Sequence, residues 1–509
     1  MRRLLLILYM LGCAGAVMAS GADTLAVYEA TMDIAGGSGD FAPFYLASNR
    51  FGIMSSNRNA IFSAKAVRAL DTRPRFSYGF GAEVAGGYTS AVDYDRYYID
   101  THSWGKNRQH PSRIWLQQLY GEVKWRSLFL SVGMKERDPA LVDRTLSSGD
   151  LVHSGNSRPI PQARAGFIDY QPVPFTRGFL QVQGEFAYGK MADASWWSDH
   201  SDRYNSWTAS GVWHVYRRLY FRTDTARRVS VTFGAQAASF FGGNTVYLHH
   251  GEVAREAHRG VNIGDFFAMI IPMDKGEEDF VRGASLGSWD IRADFRLPRG
   301  AQLGAYVEFP WEDGSGMGKM NGWDGLYGLE LTLGGKNPVL KKAVVEYLDL
   351  TNQSGPIHYA PGDYSEPPFF TQATGADDYY NSKYYNAYAN YGMIMGTPMV
   401  MAPIYNRDGY MAIVANRVRG FHVGAQGFLS ADVEWKVMMN HRKAFGNGFT
   451  PLIPALKSTS AYAGIDWTVR AVKGLRLGAS LAVDRGDLPA NAFAAQLSVS
   501  YTGIIPFRK

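Results

Sequence analysis

The chain has 509 residues, 52 basic and 46 acidic, with 14% aromatic residues, 56 glycines and a single cysteine. The near-balance of charge argues against a nucleic-acid partner. The lone Cys13 excludes a disulfide scaffold, a thiolate metal site and a cysteine enzyme, and no cofactor or metal is implied.

The chain opens on Met1-Arg2-Arg3, an apolar run from Leu4 to Val17, and small residues at Ala19, Ser20, Gly21 and Ala22. A basic start, a short apolar core and a small-residue exit predict a signal peptide over 1–19, with Ala22 as a second cleavage point. Cys13 after Leu11-Gly12 faintly resembles a lipoprotein site. No later stretch offers 18 consecutive apolar residues, so membrane-spanning helices are not expected. An exported chain rich in aromatics and glycine, without such helices, points to a β-barrel of an outer membrane, with membrane lipid and the barrel-assembly machinery as partners.

Residues 20–59 lack sustained alternation and read as a lead-in or plug at the periplasmic end. From residue 60 the chain reads as barrel. Phe76, Tyr78, Phe80, Ala82 and Val84 alternate with Ser77, Gly79, Gly81 and Glu83, which sends apolar side chains to one face and polar ones to the other. The pattern returns at 119–125, 128–135, 180–188, 207–215 and 229–233. Between Trp289 and Leu297, apolar residues alternate with Asp290, Arg292, Asp294 and Arg296, four inward charges that suit a wet lumen. Further strands read at 303–309, 325–333, 343–350, 421–428, 433–440, 461–470 and 475–484. The last, from Phe493 to Thr502, sets Phe493, Leu497, Val499 and Tyr501 against Gln496, Ser498 and Ser500. The expected fold is all-β, an antiparallel transmembrane barrel of about 16–18 strands with a luminal plug of irregular or short helical segments. Strands of about 10 residues use roughly 180 positions. The insertions 89–113, 136–178, 240–285 and 351–419 are long enough to carry or occlude a site.

Several stretches resemble the Wzi-like family of outer-membrane capsule-assembly proteins. These are SGPIH from Ser354, GADDYYN from Gly375, GMIMGTP from Gly392, the 146–175 insertion, FPWEDGSG from Phe309, DGLYGLEL from Asp324 and the lead-in FAPFYLASNRFG from Phe41. The resemblance implies a large barrel that attaches or organises capsular polysaccharide at the cell surface in the manner of a lectin. Near Tyr391 this chain departs from the family pattern, carrying Tyr391-Gly392-Met393 where tryptophan and histidine are expected.

Sugar sites pair flat aromatic faces with carboxylates and amides that take hydroxyls. Asp377, Asp378, Tyr379, Tyr380 and Asn381, with Tyr384, Tyr385 and Asn386, supply both, although a plug of packed tyrosines would use the same residues. Trp196 and Trp197, with Asp199, His200, Tyr204 and Trp207, form a second cluster, and an aromatic girdle explains it equally well. Trp311 with Glu312 and Asp313 is a third, or a turn. Asn156, Arg158 and Gln162 suit acidic sugars, while Arg158 before Pro159 also reads as a brace. Catalytic residues are not expected: there is no G-x-S-x-G elbow, no H-E-x-x-H set and no facing pair of carboxylates specified by spacing. A channel for saccharides or other small solutes is the alternative to polysaccharide binding.

Overall fold

The computed structural model describes residues 25–111, 113–270, 284–355, 377–382 and 384–506. The expected signal peptide and the terminal Phe507 lie outside them, as do most of SGPIH and the start of GADDYYN. Period-2 alternation becomes wall. The fold is a closed antiparallel β-barrel of 18 strands. In chain order they are β1 (Leu25–Ser38), β2 (Asn59–Arg68), β3 (Phe76–Thr89), β4 (Ile114–Trp125), β5 (Leu128–Met134) and β6 (Gln162–Phe167, resuming at Gln171–Pro172). Then come β7 (Leu180–Lys190), β8 (Trp213–Thr223), β9 (Val229–Phe241), β10 (Ala284–Arg296), β11 (Gln302–Trp311) and β12 (Gly325–Thr332). The wall finishes with β13 (Lys342–Asp349), β14 (Val418–Ser430), β15 (Val433–Gly446), β16 (Pro451–Thr468), β17 (Leu475–Gly486) and β18 (Ala492–Pro506). Each pairs with its sequence neighbours, and β1 pairs with β18 from Leu25↔Pro506 to Ser38↔Phe493, which leaves the sheet without an edge.

The outward faces carry exposed Trp289, Ile291 and Phe295 on β10 and Leu497, Val499 and Tyr501 on β18. In water so much apolar surface would be costly, and against acyl chains it is not. The turns at the end holding both chain termini are short, such as 126–127, 224–228, 431–432 and 469–474. At the other end 447–450 and 487–491 are short, and the remaining loops include the long 39–58, 135–161, 191–212, 242–283 and 350–417. Short turns face the periplasm in such barrels, so the long loops face outward.

This corrects the lead-in. Residues 25–38 are a wall strand, with Glu29, Thr31 and Asp33 inward and Ala30, Met32 and Ile34 outward. Only 39–58 is plug, and it enters from the external end: α1 (Phe44–Ala47) lies inside the barrel, and the Phe44 amide donates to Asp484 at 2.9 Å. Two further boundaries move. The insertion expected over 136–178 contains β6. The strand expected over 207–215 breaks at Gly211, so that Trp207–Ser210 joins an external sheet with Gly243–His249 and Glu252–Arg259.

The lumen is filled rather than wet in its external half. Segments 44–57, 142–160 and 377–416 pack with the wall into one core that includes Leu151, Val152, Tyr216, Tyr379, Tyr388, Met395 and Ile413. Asp290, expected in water, is 1% exposed and accepts from the Tyr220 hydroxyl. Arg292, nearer the short turns, pairs with Asp294 at 3.0 Å and Glu330 at 2.9 Å. Arg296 is exposed and donates to the Ala226 carbonyl, so the four charges descend from a packed interior to open water. Burying such groups is tolerable because each has a partner.

Candidate functional site

Three carboxylates moor the plug to the wall. Glu346 on β13 accepts from Ser147 Oγ and Ser148 N, both at 2.6 Å, and from the Tyr306 hydroxyl at 2.5 Å. Glu308 on β11 accepts from Leu151 N at 2.8 Å. Asp150, within the plug, accepts from Val152 N, His153 N and Gln236 Nε2. On the far wall Arg442 donates to the carbonyls of Pro398, Met399 and Leu488. These are charge-assisted bonds in a dry setting, the strong kind.

The residues expected to stack on sugar lie mostly inside this core. Tyr379, Tyr380 and Tyr385 are almost fully buried. The Tyr380 hydroxyl donates to Leu151 O at 2.9 Å, and the Tyr379 hydroxyl takes a bond from Asn321 and gives one to Asp324. Tyr385 packs near Phe240 with Arg259 over its ring. Trp197 is sealed and donates to Asp193 at 2.8 Å, while Trp311 is sealed beside α3 (Gly314–Met317). These side chains are packing elements whose faces a polymer outside the barrel does not reach. Asp378, Asn381, Tyr384 and Trp196 are partly exposed. The sequence departure at 391–392 has a steric reason: Gly392 has φ +72°, and a Cβ there would stand 2.1 Å from Trp196 Cη2.

Near the external mouth, Glu312, Asp324, Asp377 and Asp378 meet along one seam. Glu312 accepts from Asp378 N at 2.9 Å, Asp377 from Ser354 Oγ at 2.5 Å, and Asp324 from Gln353 N at 2.7 Å. Burial pushes Asp377 and Asp324 up to about 6, raises Asp378, and raises Glu312 well above the carboxylate range, with Asp377 and Asp378 adding to the last. A raised carboxyl stabilises the folded seam fully below its ordinary value and loses that contribution as pH rises through the raised one. Each unit is worth a factor of about 10. Hydrogen exchange at 312–324 and 377–381, corrected for intrinsic rate, is therefore expected to be at least about tenfold slower at pH 4.5 than at pH 7.5. Equal protection at both would refute this account of the seam.

The exposed aromatic site is elsewhere. The external hairpin 92–98/103–109 turns through His102, held at φ +48°. It is pinned to the plug by Asp95 N to Arg407 O and to the loop after α2 (Ala194–His200) by Tyr97 N to Asp202 O, both 2.7 Å. This brings the Tyr97 ring to 5.7 Å from Trp104 and 4.8 Å from Tyr204, with Trp104 and Tyr204 5.2 Å apart. His250 lies 5.1 Å from Tyr204 and stacks on His249 at 4.0 Å, so the 243–259 hairpin completes the cluster. Gly251 permits the approach, because a Cβ there would meet Tyr97 Cε1 at 2.6 Å. Trp104 is 53% exposed, an Asp95–Lys106 ion pair lies beside it on the hairpin, and Asn205 accepts from the His250 amide at 2.9 Å. Of these aromatics the sequence reading singled out only Tyr204. The run from Tyr94 to Tyr98 carries the same aromatic and polar mixture as 377–381, and that was the available signal. Among the described residues no cluster of three or more His, Cys, Asp or Glu is arranged to hold a metal.

No protein-family profile matches the chain, and no curated protein sequence matches it. Among solved structures it is similar to Wzi of Escherichia coli, described as an outer-membrane protein involved in group 1 capsule assembly and a carbohydrate-binding β-barrel. The two share 12% identity over 95% of this chain and 85% of that one, with a TM-score of 0.54. It is also similar to OccAB4 of Acinetobacter baumannii (11% identity, 95% and 99% coverage, TM-score 0.44) and OccK8 (OprE) of Pseudomonas aeruginosa (8%, 95% and 98%, 0.46). The likeness to Wzi is one of fold: this is the architecture of an outer-membrane β-barrel.

Proposed function

We propose that this barrel binds and organises capsular polysaccharide at the cell surface, without catalysis, through its external aromatic cluster. The observation that carries the reading is the convergence of Tyr97, Trp104, Tyr204 and His250 on the outward tips of a barrel whose external half holds a packed core. Rings at these spacings present apolar faces to pyranose C–H groups, and the surrounding amide and imidazole groups take hydroxyls. Each contact is weak, and a repeating polymer engages many copies at once, which gives avidity without a deep pocket. The likeness in fold to a carbohydrate-binding barrel agrees with this reading. The packed plug weighs against a solute channel.

The test is saturable binding of the detergent-folded protein to capsule from its own source, with dextran as control. Trp104→Ala is expected to weaken binding about 30-fold, or about 2 kcal/mol, the cost of removing an aromatic anchor. Its exposure leaves thermal stability unchanged. No saturable binding by folded wild type, or full binding by Trp104→Ala, would sink the proposal. Steady open channels in planar bilayers would replace it with the channel reading.

A further inference from the structure

Between the plug and the wall, away from the external cluster, lies a cavity of about 30 Å3, measured as the space open to the centre of a water molecule. On that measure one water needs roughly 10–15 Å3, so the space fits two or three waters or one small oxyanion. Its lining is unusually basic: Lys135, Arg137, His153, Arg158, Arg164 and His214 all border it. Much of that lining lacks a partner. Arg137 Nε, His153 Nε2, Arg158 Nε, Arg164 Nε and both ring nitrogens of His214 are buried without a hydrogen bond, although Arg164 and His214 are only 3% and 5% exposed.

The charges are also unevenly matched. Lys135 is answered by Glu122 at 2.7 Å and Arg164 by Glu185 at 2.7 Å. Arg137 donates to the neutral Ser131 hydroxyl, and Arg158 lies between the rings of Trp115 and Tyr391 at 4.7 and 4.8 Å. Neither of the two has a carboxylate partner among the described residues. The one carboxyl bordering the cavity, Glu136, takes a bond from Gln117 at 2.8 Å. Burial pushes it up to about 7 and pushes Arg137 and Arg158 down to about 10. Two half-buried guanidiniums whose Nε groups are sealed without a partner are costly unless an anion answers them.

We propose that this cavity is an oxyanion site, taking a carboxylate, phosphate or sulfate group on the forks of Arg137 and Arg158 with the two histidines as further donors. Planar guanidinium suits two-oxygen recognition of such groups, and the fixed surroundings spare the ordering cost that a surface site incurs. The proposal stands apart from the external cluster and from capsule binding there.

The intact folded protein is titrated with sodium phosphate, sodium sulfate and glucuronate at constant ionic strength set by chloride, with thermal midpoint and calorimetric heat as readouts. Saturable stabilisation is expected in wild type, with a half-saturation at least tenfold weaker in Arg137→Gln and unchanged in Arg470→Gln on an exposed turn. Arg137→Lys keeps the charge, loses the fork and is expected to fall between, which keeps the test informative should Arg137→Gln fold poorly. Response to phosphate or sulfate alone marks a free ion as the occupant, and an equal response to glucuronate marks an acidic sugar. No saturable response to any of the three, or an Arg137→Gln curve that overlays wild type, overturns the assignment.

Discussion

Glu346→Ala is expected to free the plug segment 146–152 from the wall while leaving the barrel closed. Glu346 takes both Ser147 Oγ and Ser148 N, and its removal strands those donors and the Tyr306 hydroxyl in a dry interior. Hydrogen bonds to a charged group are worth about 1.5–3 kcal/mol each, so the plug's two bonds account for roughly 3–6 kcal/mol. That shifts local opening by roughly 10²–10⁴-fold. The wall loses only the Tyr306 hydroxyl bond and stays closed, because the β12–β13 and β13–β14 ladders do not run through the Glu346 side chain. Limited proteolysis across 146–152 should become fast, and planar bilayers, expected to be silent with wild type, should show current. Glu346→Gln, which keeps one acceptor, should lie between. Unchanged protection with silent bilayers would mean that the plug is held by its apolar packing and not by this mooring.

Glu185→Ala is expected to destabilise the wall itself. Arg164 on β6 meets Glu185 on β7 at 2.7 Å, and Arg218 on β8 meets the same oxygen at 2.9 Å. Three neighbouring strands therefore share one buried carboxylate, with Arg164 also lying 4.8 Å from the Tyr216 ring. Removing it leaves the like charges of Arg164 and Arg218 facing each other in a largely buried setting. Breaking a buried pair in this way costs about 3–5 kcal/mol. The urea midpoint of the folded barrel should fall accordingly, and adding Arg164→Met should recover part of the loss by removing one stranded charge. A midpoint within error of wild type would show that water reaches the cluster.

Alternation made the wall legible. Trp289 to Leu297 and Phe493 to Tyr501 read correctly because a strand's period depends only on neighbours in sequence. β1 was missed because its outward residues include the weakly apolar Ala30 and it ends on Gly36-Gly37, so the pattern has little amplitude until β2 and β18 are beside it. The fate of Asp290 was not legible either: its inward direction was, but its dryness comes from segments distant in sequence, Asp150 and Leu151 among them. The same holds for 377–381. A tyrosine cluster looks alike in sequence whether it faces a ligand or a neighbouring backbone, and Leu151 O, more than 200 positions away, decides the matter for Tyr380. The external cluster joins three loops, and no single stretch announces it.

The seam between β1 and β18 bears on the order of events during biogenesis. Its partners lie more than 450 positions apart, whereas most other wall pairs are consecutive hairpins. Closing so long a loop directly would cost about 5 kcal/mol in chain entropy, from (3/2)RT ln n, and the consecutive hairpins reduce that cost only once they have formed between the two ends. The ring can therefore shut only after the final strand has been delivered. Residues 39–58 hang directly from β1, and the other filling segments cross to the outer side with their own hairpins. A chain lacking its last hairpin would therefore be expected to present an open-sided sheet, with β1 unpaired on the edge that β18 covers.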